Sequence, residues 1–310
     1  MSLSSQQLPA PLPGHFATLD DLELFSRVQL IAFDLDGTLL KAPDEAPGDR
    51  IRFLQGSAKS FGVRITLATG RTLKGAQQTL QALGDLGAMP IILYNGSLVI
   101  EPGLGKVVAH RQIDTQIANA VLHAAQAENA EIFIYTVNVP DMQLREGVES
   151  WETVWYSGNA EVPAKEYNGM PTVNLTKQSL EAPATAMLIL LPPTADQATL
   201  KSSLQMIDGI SLTSSGSRYI EVRPLGSSKA AAMEDLCRSQ KFEQPYVLAV
   251  GDNDNDVELL KWAGIGVSVQ GASPAATAAS NYVSRFGAER AAIEVLDLVR
   301  RAKRLHKNRS

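Results

Sequence analysis

The chain is short of several things, and each shortage excludes something. It has one cysteine, Cys237, in 310 residues. An internal disulfide framework is thereby excluded, and the composition fits a reducing compartment. No stretch approaches the ~20 apolar residues that span a bilayer. Lys and Arg number 28 against 33 Asp and Glu, a formal net charge of -5. That balance offers no general attraction to nucleic acid or to an anionic membrane. Residues 1–26 lack Lys and Arg but include Asp20, Asp21 and Glu23, unlike a signal or transit peptide. The expected location is cytoplasmic. Histidine is scarce too: His15, His110, His123 and His306 are scattered, without metal spacing or an adjacent nucleophile, and read as structural or surface groups.

What is present is an ordinary globular composition, 45% hydrophobic and 20% charged. The length suits about two domains of roughly 150 residues. Residues 1 to about 15, rich in Pro, Ser and Gln, read as a loose tail. The first apolar run, "IAFDLDGTLL" (residues 31–40), is a buried strand that ends in Asp34 and Asp36 and breaks at Gly37. A helix with Ile51, Leu54 and Ala58 on one face follows. Next come a strand in "GVRITLATGR", a helix in "LKGAQQTLQAL" and a strand in "MPIILYNGS". The alternation returns late, with a helix in "SSKAAAMEDLCRSQ" capped by Ser227 or Ser228, a strand in "YVLAVGDNDND", a short strand in "AGIGVSV" and a closing helix. The basic run "RRAKRLHKNR" ends that helix, where cations are favoured.

Near-continuous apolar strands alternating with helices predict an α/β fold with a mostly parallel sheet covered on both faces. Between them, "EIFIYTV", "PTVNL", "TAMLILL" and a helical pattern after Thr194 mark a separate inserted α/β unit. The expected division is 1–27 as an N-terminal extension, 28–97 with 222–310 as the core, and 98–221 as the insertion.

In open α/β sheets ligands bind beyond the carboxyl ends of the strands. That rule gathers Asp34, Asp36, Thr69, Asn95 and the acids of 252–256 at one edge. Buried acids need compensation, and an all-oxygen set with a phosphate suits Mg2+. "GDNDND" is no EF-hand loop, because Val257 and Ala263 stand where that loop needs Gly and Glu.

"DLDGTLL", "LATGR", the lysine of "LGSSKAAAM" and "GDNDND" stand in the order of the four motifs of the haloacid dehalogenase superfamily, which this chain resembles. "YNGS", the long insertion and "YIEVRPLGSSK" resemble its Cof-type branch, with a class IIB cap. The resemblance covers residues about 28–300. It implies a Rossmann-like core with an inserted α/β cap, and a Mg2+-dependent phosphatase acting on a small phosphorylated metabolite, commonly a sugar phosphate.

On this reading Asp34 attacks phosphorus and forms an aspartyl phosphate. Asp36 protonates the leaving alcohol and later deprotonates water, a role suited to an acid crowded by like charges. Asp34, Asp36 (through its backbone carbonyl, by resemblance) and Asp252 are the expected metal ligands. Thr69, with Gly70 beside it, and Lys229 hold the phosphoryl oxygens. Asn255 and Asp256 support the ligand set, orienting Lys229 or a bound water. Arg71, Asn95 and Gly96 contact substrate; equally, Arg71 makes a structural ion pair and Asn95-Gly96 a tight turn. The alternatives are a phosphomutase of hexose phosphates and a phosphorylatable metabolite-sensing protein. Nucleic acid and membrane are not expected partners, and the chain is expected as monomer or homodimer.

Overall fold

The structure is a computed structural model. It describes residues 8–14, 16–42, 47–84, 86, 89–103, 105–139, 151–158, 169–175, 179–193, 196–215 and 218–308. His15 and residues 43–46 lie outside the described residues, as do segments of the insertion.

Fifteen strands occur among the described residues: β1 (Ala10–Pro11), β2 (Leu30–Phe33), β3 (Arg64–Leu67), β4 (Ile91–Leu93), β5 (Leu98–Glu101), β6 (Lys106–His110), β7 (Glu131–Val137), β8 (Glu152–Ser157), β9 (Thr172–Asn174), β10 (Ala186–Leu190), β11 (Ile210–Ser215), β12 (Tyr219–Pro224), β13 (Val247–Gly251), β14 (Ile265–Ser268) and β15 (Tyr282–Val283). The first sheet runs β1-β15-β14-β13-β2-β3, and every pair in it is parallel. The strands β2, β13 and β14 are buried throughout, because helices cover both faces of such a sheet. The expected helix with Ile51, Leu54 and Ala58 inward spans Asp49–Ser60.

The run "MPIILYNGS" departs from the parallel pattern. An isolated parallel bridge, Ala68 to Ile92, ties β4 to the end of β3, and the Thr66 hydroxyl donates to Pro90 O at 2.6 Å. β4 then continues through β5 into β6 as an antiparallel sheet. The strand β5, which the sequence division assigns to the insertion, is thus hydrogen-bonded to β4, and β6 to β5.

The inserted cap is built on the sheet β11-β12-β10-β7-β8-β9, antiparallel except for β8 and β9. "EIFIYTV" is almost wholly apolar because both faces of β7 are covered. Ile132 and Ile134 pack with Val121 and Leu122 of the helix Thr115–Ala127. Phe133, Tyr135 and Val137, on the alternate face, join the main core.

The loose-tail reading is corrected over residues 8–14. Ala10 and Pro11 pair in parallel with Tyr282 and Val283, and Leu12 is 2% exposed. An edge strand leaves unpaired donors and acceptors, and this segment covers them. The helix Leu19–Ser26 follows, with a capping box at Thr18 and with Leu22 and Phe25 fully buried. Arg301 and Lys303 of the closing helix Arg290–Lys307 donate to backbone carbonyls of Gly14 and Ser26. The basic run therefore works partly as internal stitching.

Candidate active site

Adjacent parallel strands release their ends side by side. Phe33 of β2 lies opposite Val250 of β13 and Leu67 of β3. Asp34, Asp252 and Thr69 consequently leave the sheet at one edge. Asp34 N is fixed by Val250 O at 3.0 Å.

Lys229 approaches from the helix Lys229–Gln240. Ser228 caps that helix, its Oγ accepting from Ala231 N at 3.2 Å. Lys229 is fully buried. Its Nζ donates to Asp34 Oδ1 and to Asp256 Oδ1, each at 2.6 Å. Asp256 Oδ2 accepts from the amides of Asp252 and Asn253 at 3.0 and 3.1 Å. Asp252 Oδ1 accepts from the buried Thr38 hydroxyl at 2.9 Å.

One oxygen from each of Asp34, Asp252 and Asp256 lies within 4.8 Å of the others. Burial pushes Asp34 well above the usual carboxylate range; Lys229 pulls it back, and Asp256 and Asp252 add to the rise. Asp252 is raised by burial and then by Asp256. For Lys229, burial favours the neutral form, but Asp256 and Asp34 outweigh it and hold the ammonium charged. Three carboxylates against one ammonium leave two negative charges when all are ionised. A hard divalent cation matches that excess and that all-oxygen donor set. Asp256 already has both oxygens engaged, so Asp34 and Asp252 are the groups left to face an ion. Gly37 makes room beside them: its φ is +86°, and a Cβ there would lie 2.1 Å from Asp252 Oδ2.

The Asp36 carboxylate stands outside this cluster. Arg71 grips it twice, Nε to Oδ2 at 2.9 Å and Nη2 to Oδ1 at 2.5 Å. The crowding of Asp36 by like charges is therefore corrected, since its bonded partner is a cation. The strand ends at Phe33 and the chain turns at Gly37, so strand alternation no longer holds Asp36 on the side of Asp34.

Thr69 is fully buried, its Oγ1 accepting from Arg71 N at 3.1 Å. The cap of the next helix, Leu73–Leu83, is Thr72. Tyr94, Asn95 and Gly96 form a left-handed turn, with φ of 51°, 52° and 102°. At Gly96 a Cβ would lie 2.1 Å from Ser228 O, so this turn packs against the start of the Lys229 helix. Asn95 reaches across the edge: its side chain lies against Gly70, and its Oδ1 accepts from Asn255 Nδ2 at 3.0 Å.

Three groups here escape the sequence reading. Thr38 lies inside "DLDGTLL" as a buried hydroxyl on Asp252. From the cap, Glu221 Oε2 accepts from Asn95 Nδ2 at 2.9 Å, and Arg223 Nη1 donates to Asn95 O at 3.4 Å. Their signal is opposite charges at alternate positions of the otherwise apolar strand "YIEVRP".

Comparison with known proteins bears on the family and the fold. The haloacid dehalogenase-like hydrolase family matches residues 31–296. An HMP-PP phosphatase of Enterobacter sp. is 27% identical over 267 residues, 84% of this chain and 90% of that protein. The crystal structure of a haloacid dehalogenase-like hydrolase from Bacteroides thetaiotaomicron superposes with a TM-score of 0.70 at 24% identity, covering 88% of this chain and 99% of that one. A sugar phosphatase of subclass IIB of the same superfamily superposes with a TM-score of 0.65 at 19% identity, covering 83% and 94%. The four ordered motifs, the parallel sheet that carries them and the family match over 31–296 place this chain in the haloacid dehalogenase-like hydrolase family.

Proposed function

We propose that the protein is a Mg2+-dependent phosphatase that hydrolyses small phosphate monoesters, sugar phosphates among them, through an aspartyl-phosphate intermediate. The observation that carries this reading is the buried convergence of Asp34, Lys229, Asp252 and Asp256. The phosphatase named among the similar proteins supports the reaction, and the subclass IIB sugar phosphatase of like fold supports the substrate class.

Asp34 and Asp252 would hold the ion, with the Asp36 backbone carbonyl as the expected third protein ligand. Mg2+, when bound, supplies charge neutralisation at the phosphoryl oxygens and a fixed template. The remaining chemistry belongs to the chain. Lys229 and Thr69 bind the phosphoryl oxygens, and Asp256 orients Lys229. The Asp34 carboxylate forms a bond to phosphorus while the ester P–O bond breaks. Asp36 gives its proton to the departing alkoxide, then takes one from the water that attacks the aspartyl phosphate. Phosphate leaves and the Asp34 carboxylate is restored. For that proton traffic the bidentate Arg71 pair on Asp36 opens, since a guanidinium on both oxygens favours the ionised carboxylate over the protonated form that gives up a proton. The cap closes the site and excludes water from the reacting centre.

Asp34→Asn is expected to lower turnover of 4-nitrophenyl phosphate at least ~1,000-fold, in line with removal of a covalent nucleophile, with circular dichroism unchanged. Retained Mg2+-dependent hydrolysis in that variant would refute the nucleophile. Wild type without hydrolysis of any of a few dozen phosphate monoesters, with and without Mg2+, would refute the activity.

A further inference from the structure

The loop 69–71, which carries Thr69, is bracketed by two elements of the core. On one side the helix Leu73–Leu83 begins; on the other lies the turn of Tyr94, Asn95 and Gly96. Loop and turn are tied through the backbone: Tyr94 N donates to Arg71 O at 3.1 Å, and Asn95 N to Thr69 O at 3.0 Å. Arg71 is tied to the helix as well, its Nη1 donating to Gly75 O at 3.0 Å. Where Thr69 and Arg71 stand is therefore set by how both flanks are held.

The core does not complete either flank by itself. A helix start leaves amides without intrahelical acceptors. The Thr72 hydroxyl accepts from Gly75 N at 2.8 Å, but the acceptor for Leu73 N and Lys74 N comes from the cap. It is Glu152 of β8, at 2.6 and 2.8 Å. On the other flank the Tyr94 hydroxyl donates to the same carboxylate at 2.5 Å. Glu152 is 6% exposed and Tyr94 3%, so the three donors converge on one group away from bulk water. With the cap docked, a single charged side chain satisfies both sides of the loop through charge-assisted hydrogen bonds. With the cap apart, two amides and a hydroxyl of the core lose that acceptor together.

We infer that Glu152 is a positioning residue for the proposed reaction: carried by the cap, it sets the phosphoryl-binding loop 69–71 of the core in its working form while the cap is docked. The inference rests on the phosphatase reading and adds to it the cap residue that readies the phosphate site. Glu152 acts through the helix start and Tyr94, without touching the phosphoryl group. Such coupling is reciprocal: a docked cap tightens the grip on a phosphoryl group, and a bound phosphoryl group favours the docked cap.

The test uses the full chain with Mg2+ and measures kcat/KM for 4-nitrophenyl phosphate and the inhibition constant of inorganic phosphate. Glu152→Ala is expected to raise that inhibition constant about tenfold and to lower kcat/KM by a similar factor, the worth of one charge-assisted hydrogen bond. Glu152→Gln is expected to recover most of the loss, since its carbonyl oxygen still accepts from an amide. Tyr94→Phe is expected to weaken phosphate about threefold alone and to add nothing in the Glu152→Ala background, because the two share one interaction. Leu12→Ala, a core truncation at the far edge of the parallel sheet, is the control: it lowers stability and leaves both constants at their wild-type values. Glu152→Ala with wild-type constants overturns the inference while leaving the phosphatase standing, as does a Leu12→Ala that changes them equally. If Glu152→Ala fails to fold, Tyr94→Phe decides, and an unchanged phosphate constant there overturns the inference. A wild type that hydrolyses no phosphate monoester overturns the phosphatase, and this role with it.

Discussion

Lys229 is held by two carboxylates and shielded completely from water. Removing one member of a buried ion pair typically costs ~3–5 kcal/mol, because the remaining charge is left uncompensated. Its burial therefore joins stability to chemistry at one residue. His110 shows how a residue outside the site responds to pH. Burial lowers its pKa to about 4, and its Nε2 lies 2.9 Å from the Thr185 hydroxyl, between β6 and the start of β10. The folded state holds the ring neutral, so its contribution is present above the ordinary histidine value of 6.5. As pH falls the unfolded chain takes up the proton first, and the contribution is lost between pH 6.5 and about 4. The loss reaches ~2 kcal/mol near pH 5. Thermal unfolding should show wild type losing more stability from pH 7 to pH 5 than His110→Gln, and parallel curves would reject this account.

At the scale of elements, Glu152 is among the side chains that join the cap to the core. Glu152, at the start of β8, accepts from the amides of Leu73 and Lys74 at 2.6 and 2.8 Å and from the Tyr94 hydroxyl at 2.5 Å. A carboxylate at a helix N-terminus satisfies orphan amides and the helix dipole together. The helix it caps begins two residues after Arg71, and Tyr94 opens the turn that carries Asn95. Burial raises the Glu152 pKa, while Tyr94 and the two amides draw it back. Glu152→Ala is expected to lower stability by ~1–3 kcal/mol, the cost of buried donors left unmatched. A urea titration checks this, and a variant indistinguishable from wild type would remove Glu152 as a tie. The helix patterns were largely legible beforehand: Ile51, Leu54 and Ala58 face inward, and Ser228 is the cap. The Glu152 tie was not, because the residues it joins lie 78 and 79 positions apart.

For the whole molecule, the parallel sheet and the cap sheet share a continuous apolar core through one face of β7 and β8. The N-terminal strand closes the far edge of the parallel sheet. Deleting residues 1–14 should lower the melting temperature, with Leu12 alone worth ~2 kcal/mol of lost burial. A truncated chain that melts with the full one would return this segment to the status of a tail. Composition could not reveal the strand. Prolines and short polar residues resemble a linker, and pairing with Tyr282 and Val283 is a contact across the whole chain length.

The linear order of residues determined the apolar strands β2, β3, β13 and β14, the polar ends they carry and the type of each group at the sheet edge, because period and turn chemistry are local properties. Asp34, Thr69 and Asp252 fell at one sheet edge for that reason; Lys229 was singled out by the order of the motifs. Tertiary structure alone decided which side chains meet: that Asp256 holds Lys229, that Arg71 holds Asp36, and that Glu221 and Arg223 reach Asn95 from the cap. Hydrogen bonds and ion pairs depend on distances of a few ångström, and those distances arise only when segments remote in the chain are packed together.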